Sequence, residues 1–580
     1  MKNRILTTVF SLLIGFTLLS ASAQNKTNKI SFDDQWKFHE GDDKSWSSPT
    51  FNDSKWTFIS SKKVIEEQGY PTFDGLGWYR RSIILPETLK NAAPGDLIIS
   101  FNQVDDADEA YFNGHLIGST GGFPPNYESK YSEVREYLVP SKYVYLDKPN
   151  TIAIRVFDGG GSGGLVSPTL DVRAATQFDR LKISVAVADE DKIFLGSQPQ
   201  KVDVTVKNLN SASVLAKLHV DITTDDHQKL KSFVENLSLQ PGQNLLKSIA
   251  YPAPSPGFYR YSIYLESNGS TGSPKKFNLG YEPEKINAPI DSKPDFKSFW
   301  ENNLKELALV TPDFQMTSHP EYSNKSYEVF EVAMNSFGSV RVKGYYCKPK
   351  KEGKFPVSVE YQGYGSGFSE PDTTWDGFAH MKMSIRGQGY NIPGNIYGDW
   401  IVYGLENKEN YYYRGAYLDI IRGIDFVCTR AEVDTSKIVT MGGSQGGALT
   451  FVSAALDKRV KACAPTIPFL SDYRNYFKIA PWPASSFESY LKQHPERTWD
   501  QAYEVLTYFD IKNFAPWIKC PLFMGIGVQD EVCPPHINFA AYNNVKGKKR
   551  WIAYGDQQHS VGQDYYKQRQ QFFKSILKLD

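Results

Sequence analysis

Ile438-Val439-Thr440-Met441-Gly442-Gly443-Ser444-Gln445-Gly446-Gly447 decides how this chain is read. A β-branched run leads straight into Gly-x-Ser-x-Gly, the sequence form of a nucleophile elbow. The glycines have a mechanical reason. The turn from strand to helix is so sharp that the serine backbone is strained and its hydroxyl is pushed above the sheet. Side chains at Gly442 and Gly446 would collide with the neighbouring strand and helix. Gly443 and Gly447 are expected to loosen the packing further. The plain alternative is an ordinary glycine-rich turn, and the residues that follow weigh against it.

A serine nucleophile needs a base, and the base needs an orienting carboxylate. On an α/β-hydrolase sheet these come later in the chain, acid first and histidine second. Three histidines follow Ser444: His494, His536 and His559. His559 lies just past the strand-like Arg550-Trp551-Ile552-Ala553-Tyr554, with only a terminal helix over residues 565–579 after it, where the last loop of such a sheet delivers its imidazole. His494 reads as the end of a surface helix, and His536, after Pro534-Pro535, as an exposed helix start. For the acid, the buried strand Pro521-Leu522-Phe523-Met524-Gly525-Ile526-Gly527 runs into Val528-Gln529-Asp530, so Asp530 falls in a loop at the carboxyl edge of a strand. Asp556 is a rival three positions before His559. A capping role for Asp530 at the helix after Pro534 is the structural alternative.

An oxyanion hole completes the chemistry. One donor is expected from the N–H of Gln445, the residue after the nucleophile. The other is expected after Pro356-Val357-Ser358-Val359-Glu360-Tyr361, where Gln362-Gly363-Tyr364-Gly365 offers the Tyr364 N–H. Each donor of this kind contributes about 3 kcal/mol to the transition state.

Further residues fall into a family pattern. Ser384-Ile385-Arg386-Gly387-Gln388-Gly389 carries an Arg-Gly-Gln triplet, followed by Tyr411-Tyr412-Tyr413-Arg414, then Tyr417, Asp419 and Arg422 on a helix, then the elbow; Asp530 precedes Cys533-Pro534-Pro535. This ordered set resembles the acetyl xylan esterase and cephalosporin C deacetylase family (carbohydrate esterase family seven) over residues 291–580. The resemblance implies a serine esterase, without metal or cofactor, that removes acetyl groups from sugars. By position it makes Ser444, Asp530 and His559 the triad, Tyr364 and Gln445 the oxyanion donors, and Arg386 and Gln388 a brace. The chain departs from the family in Gln362, where histidine is usual, and in Ser560, where glutamate is usual; both change hydrogen bonding around the site. Family members often form ring-shaped hexamers, so a homo-oligomer is within the expectation. Rival readings are a feruloyl or methyl esterase, a serine peptidase, and a carbohydrate-binding protein with a dead hydrolase half.

At 580 residues the chain exceeds one core. Lys plus Arg and Asp plus Glu each total 65, a balance that argues against nucleic acid or an anionic membrane as partner and leaves an acetylated oligo- or polysaccharide as the expected one. Lys2-Asn3-Arg4, the apolar residues 5–19 and Ala21-Ser22-Ala23 read as a secretory signal peptide over residues 1–23, which places the mature chain in the periplasm or outside the cell. Five cysteines, an odd number, leave at least one unpaired; no metal-ligand spacing appears, and Cys428 and Cys463 read as buried small hydrophobes.

Two β-rich modules precede the hydrolase. Residues 24–178 read as short strands between turns, with Asn113-Gly114 as a type I′ hairpin tip. The series resembles the sugar-binding-like (galactose-binding-like) jelly roll of family-two glycoside hydrolases, which implies carbohydrate stacking on an exposed aromatic or a purely packing role; a structural calcium ion is compatible with it, though no ligand set is legible. Asp158-Gly159-Gly160-Gly161-Ser162-Gly163-Gly164 reads as a loop before its last strand. Residues 179–286 alternate as an immunoglobulin-like sandwich, with Pro256-Gly257-Phe258-Tyr259-Arg260-Tyr261-Ser262-Ile263 as its closing strand. The expected fold is therefore multidomain: all-β jelly roll, immunoglobulin-like β-sandwich, and α/β-hydrolase over 287–580, the last opening with a helix over 295–307.

Overall fold

The alternating segments of residues 30–174 pair into two sheets. In this computed structural model, residues 29–579 are described apart from 72, 93, 94, 132, 161, 162, 167, 168, 368 and 376. The expected signal peptide lies outside the described residues. One sheet of this first module runs Ile30–Phe32, Leu170–Ala174, Leu97–Asp105, Gly164–Val166, with Arg135–Val139 also on Leu97–Asp105; the other runs Thr57–Ser60, Gln35–Glu40, Gly75–Ile83, Asn150–Asp158, Ala107–Phe112, His115–Thr120. Asn113 (φ 48°) and Gly114 (φ 84°) turn the last hairpin, as the Asn-Gly pair requires. Trp36, Trp56 and Trp78 are 1%, 7% and 0% exposed, so these rings pack inward rather than forming a sugar platform.

The second module faces Leu181–Val187, Gln200–Asn208 and Asn244–Tyr251 against a sheet built on Lys275–Tyr281, Gly257–Ser267, Val214–Thr224 and Lys229–Leu239. The expected closing strand, Gly257–Ser267, is interior to its sheet; Lys275–Tyr281 follows it and pairs along it. Lys-Lys-Phe-Asn-Leu-Gly-Tyr is too polar to stand out as a strand.

The third sheet has nine strands, in the order Gln315–Ser318, Tyr327–Asn335, Arg341–Pro349, Ala379–Met383, Phe355–Tyr361, Val433–Gly443, Val460–Thr466, Leu522–Gly527, Lys549–Tyr554. From Ala379–Met383 onward all neighbours are parallel. Both faces are covered, so the strands are apolar on both sides. Ile438 packs with helices Tyr412–Cys428 and Gln445–Leu456, while Val439 and Met441 face the terminal helix Gln563–Leu577. Tyr361 lies opposite Gly442, Gly442 opposite Pro465, and Thr466 opposite Gly525. Parallel strands that end in register deliver their loops to one rim, where α/β sheets bind ligands. The first helix of this part runs Phe296–Leu309, one to two residues later than its sequence signals indicate. Among the described residues, no helix is long and apolar enough to cross a membrane.

Candidate active site

Ser444 joins strand Val433–Gly443 to helix Gln445–Leu456 with φ 57° and ψ −120°. A non-glycine residue in such a conformation costs about 1–3 kcal/mol and persists only where its surroundings hold it. Here the Ser444 N–H donates to Thr466 O at 3.0 Å, and the Phe469 N–H donates to Ser444 O at 3.1 Å. A Cβ on Gly442 would approach Tyr361 O to 2.6 Å, one on Gly446 the same oxygen to 2.1 Å, and one on Gly447 Thr466 O to 2.6 Å. Gly443 differs from expectation: a Cβ there meets nothing within 4 Å, so packing does not require glycine.

Asp530 and His559 meet. Asp530 Oδ2 lies 2.8 Å from His559 Nδ1, while Oδ1 accepts the N–H groups of Val532 and Cys533, both at 2.8 Å. One oxygen thus orients the imidazole and the other closes the turn before Pro534; the helix Pro535–Asn544 receives no side-chain cap, so the capping role at that helix is not what Asp530 does. At 1% exposure it needs these three donors, because an unpaired buried carboxylate is costly. Burial alone would lower the imidazole pKa, but the charge and hydrogen bond of Asp530 outweigh it and raise His559 above its ordinary value. The histidine loop reaches this position across Gly527, where a Cβ would lie 2.0 Å from Gln558 O. The rival Asp556 points elsewhere: its side chain is 72% exposed and ion-pairs with Lys192 of the second module. His494 caps a surface helix end as expected. His536 is not the exposed helix start its sequence suggests, being locked at 2.7 Å to Asp225 of the second module.

Ser444 approaches this cluster at Cys533, whose N–H bonds Asp530. Its Oγ lies 3.9 Å from Cys533 Sγ and forms no hydrogen bond to His559 in this structure. Such bonds are often open before substrate binds. Burial and the neighbouring Asp530 push the Cys533 thiol far up, so it stays neutral beside the serine.

The Arg-Gly-Gln triplet braces the opposite wall. Arg386 grips Asp419 through Nε (2.9 Å), Nη2 (2.7 Å) and its backbone N–H (2.9 Å), a buried bidentate pair. Gln388 Oε1 accepts Gly365 N–H at 3.1 Å and Gln445 Nε2 at 3.0 Å, and its Nε2 donates to Tyr412 Oη at 3.0 Å and Gln445 Oε1 at 3.3 Å. One amide thus joins the loop of Tyr364 to the residue after Ser444. Gln445 opens its helix, so its N–H is among the donors that a helix leaves unpaired. Gln362 accepts from Ser384 Oγ and donates to Ser369 Oγ at 3.1 Å. Ser560 Oγ donates to Gln557 Oε1 at 2.6 Å. The Tyr364 ring contacts Trp400, Phe469 and Trp482 edge-on, and the last two stack at 5.2 Å, giving the site an aromatic wall.

Among the described residues, Glu360, Asp372 and His380 have metal-like composition, with ligand atoms within 4.8 Å of one another. His380 Nε2 is 3.4 Å from Glu360 Oε2. Burial works against the Glu360 charge, yet His380, Lys382 and Arg569 hold its carboxyl at about 2.

Sequence reasoning missed the approach of the β-modules to Asp530. Burial, then the charge of Asp530, raises the hydroxyl of Tyr131, from the first module, to about 12. Asn278, from the second, bonds the residue before Asp530. Neither has a local signal, because the contact spans hundreds of residues.

Residues 278–577 match the acetyl xylan esterase (AXE1) family, more than half of the 580-residue chain. Acetyl esterase Axe7A of Xylanibacter ruminicola is 28% identical over 287 residues, covering 47% of this chain and 64% of that protein. The chain therefore matches less than two thirds of this curated relative. Among solved structures, the acetyl xylan esterase from Paenibacillus sp. R4 is 32% identical (TM-score 0.47) and acetyl xylan esterase 1 from Thermoanaerobacterium sp. JW/SL YS485 is 29% identical (TM-score 0.48); each covers 51% of this chain and 98% of its own. With the match over residues 278–577, the chain belongs to the acetyl xylan esterase family.

Proposed function

We propose that this chain is an exported serine esterase that removes acetyl groups from oligo- or polysaccharides. The observation that carries the reading is the Asp530–His559 hydrogen bond, 2.8 Å long, beside a strained serine at the rim of a parallel sheet. His559, oriented by Asp530, takes the proton of Ser444 as Oγ attacks the ester carbonyl. The N–H groups of Tyr364 and Gln445 receive the oxyanion, held in place by Gln388. The sugar alcohol leaves with a proton from His559, and water then hydrolyses the acetyl-serine using the same base. Family membership supports an acetyl ester of a carbohydrate as substrate. The inward packing of Trp36, Trp56 and Trp78 supports a packing role for the first module.

The test is mass-spectrometric detection of acid release from acetylated xylans, pectins and oligosaccharides. The wild type is expected to release acetate and Ser444→Ala, still folded, none above background. Release of ferulate or methanol instead, or undiminished acetate release by the variant, overturns the reading. Sequencing the mature N-terminus tests export, with Gln24 as the expected first residue.

A further inference from the structure

We propose that the second β-module is a working part of the esterase site, with Gln529 as a positioning residue that ties the loop of Asp530 to that module and to the loop leading to His559. The inference rests on the Ser444–His559–Asp530 reading above. Strand Lys275–Tyr281 pairs on one side with Gly257–Ser267, and on the other only Gly280 and Tyr281 are covered, by Ile193 and Phe194. Asn278 is thus left with an open backbone edge, which a neighbouring strand would normally occupy.

The Gln529 side chain fills that edge. Asn278 N–H donates to Gln529 Oε1 at 2.7 Å, and Gln529 Nε2 donates back to Asn278 O at 3.1 Å. This is the two-bond exchange of an antiparallel pair, made by one side-chain amide. The same Nε2 donates to Gly555 O at 2.7 Å, and Asn278 Nδ2 donates to Val528 O at 3.3 Å. Gln529 N–H also donates to Gln557 O at 2.9 Å. Both loops are therefore fixed to each other, one residue from Asp530 and two and four residues from His559, and the acid loop is fixed to the module.

Neighbouring contacts share the direction of pull. Lys192 pairs with Asp556 in the histidine loop, and Gly555 permits a close approach, since a Cβ there would lie 2.1 Å from Glu190 O. Arg260 donates to Asp225 O at 2.9 Å and to Ile479 O at 3.0 Å, while Asp225 holds His536 at 2.7 Å. Severing the Gln529 hub frees the acid loop to shift against the imidazole, and displacements of about 1 Å cost up to about a hundredfold in rate.

The experiment measures kcat, KM and the pH dependence of kcat/KM for the full chain, Gln529→Ala, Gln529→Met and Asp530→Asn. Gln529→Ala is expected to lose about ten- to a hundredfold in kcat with KM little changed, and to move the acid limb of the profile to lower pH as the Asp530–His559 bond loosens. Gln529→Met keeps the length of the side chain but none of its three hydrogen bonds, and is expected to match the alanine variant; it decides by the same criteria if the alanine variant does not fold. A wild-type kcat, or a loss with the acid limb unmoved, overturns the inference. If Asp530→Asn also leaves the limb unmoved, the triad reading itself fails; if only the Gln529 variants do, the positioning role alone falls.

Discussion

Replacing Gln388 by Leu tests the brace beneath the oxyanion site. Leucine is close to glutamine in size and cannot hydrogen-bond. The change strips Gly365 N–H of its acceptor and breaks the reciprocal amide pair with Gln445, all in a place where Gln388 is 2% exposed. Gly365 is exposed, so its N–H turns to water, while Gln445, 1% exposed, keeps an unpaired Nε2; one such buried group costs about 1–3 kcal/mol of stability. The catalytic effect is separable. Gly365 adjoins Tyr364, and release of that loop displaces one oxyanion donor, a loss of about 3 kcal/mol. At about 1.4 kcal/mol per tenfold, kcat falls by about a hundredfold. KM changes little, because the interaction forms in the transition state. Initial rates on 4-nitrophenyl acetate, with circular dichroism to confirm folding, read the effect. A folded Gln388→Leu protein with kcat within about twofold of wild type refutes the brace.

Asp530→Asn should lower kcat by roughly 10⁴ with folding intact, whereas Asp556→Asn should leave it unchanged; the reverse order makes Asp556 the acid. The base must be neutral to act, and Asp530 raises His559 above 6.5, so kcat/KM is expected to fall on the acid side with an apparent pKa above that value. In Asp530→Asn the burial of the ring is no longer opposed, and the limb should move below 6.5; an unmoved limb contradicts the cause assigned. Lys512, 4% exposed, lies 2.8 Å from Asp472 and 3.4 Å from Asp291. Lys512→Met leaves Asp472, 3% exposed, without its buried counter-charge and should cost about 3–5 kcal/mol in denaturant unfolding, against near-neutrality if that pair carries no weight.

The elbow is legible because its residues are contiguous in the chain, although the carbonyl that demands glycine at Gly442 and Gly446, Tyr361 O, lies on the neighbouring strand. Asp530 and His559 were legible from chain order, since a parallel sheet ending in register must bring late loops to one rim. The open space at Gly443 is not legible, because glycine in a motif does not reveal whether space is short. His536 reads as an exposed helix start because its partner, Asp225, belongs to another module, and no local pattern encodes a partner hundreds of residues away. Strand Lys275–Tyr281 is hidden instead by its polar composition. The inward packing of Trp36, Trp56 and Trp78 is equally illegible, because composition suits a platform and a core alike.

The central claim is that Ser444 is a nucleophile activated by His559, and covalent labelling tests it most directly. After incubation with diethyl 4-nitrophenyl phosphate, intact mass and peptide mapping should show one diethylphosphoryl group on Ser444, with acetyl ester hydrolysis lost in proportion and labelling greatly slowed in His559→Ala. A label on a different residue, or full hydrolysis by protein labelled at Ser444, contradicts the account.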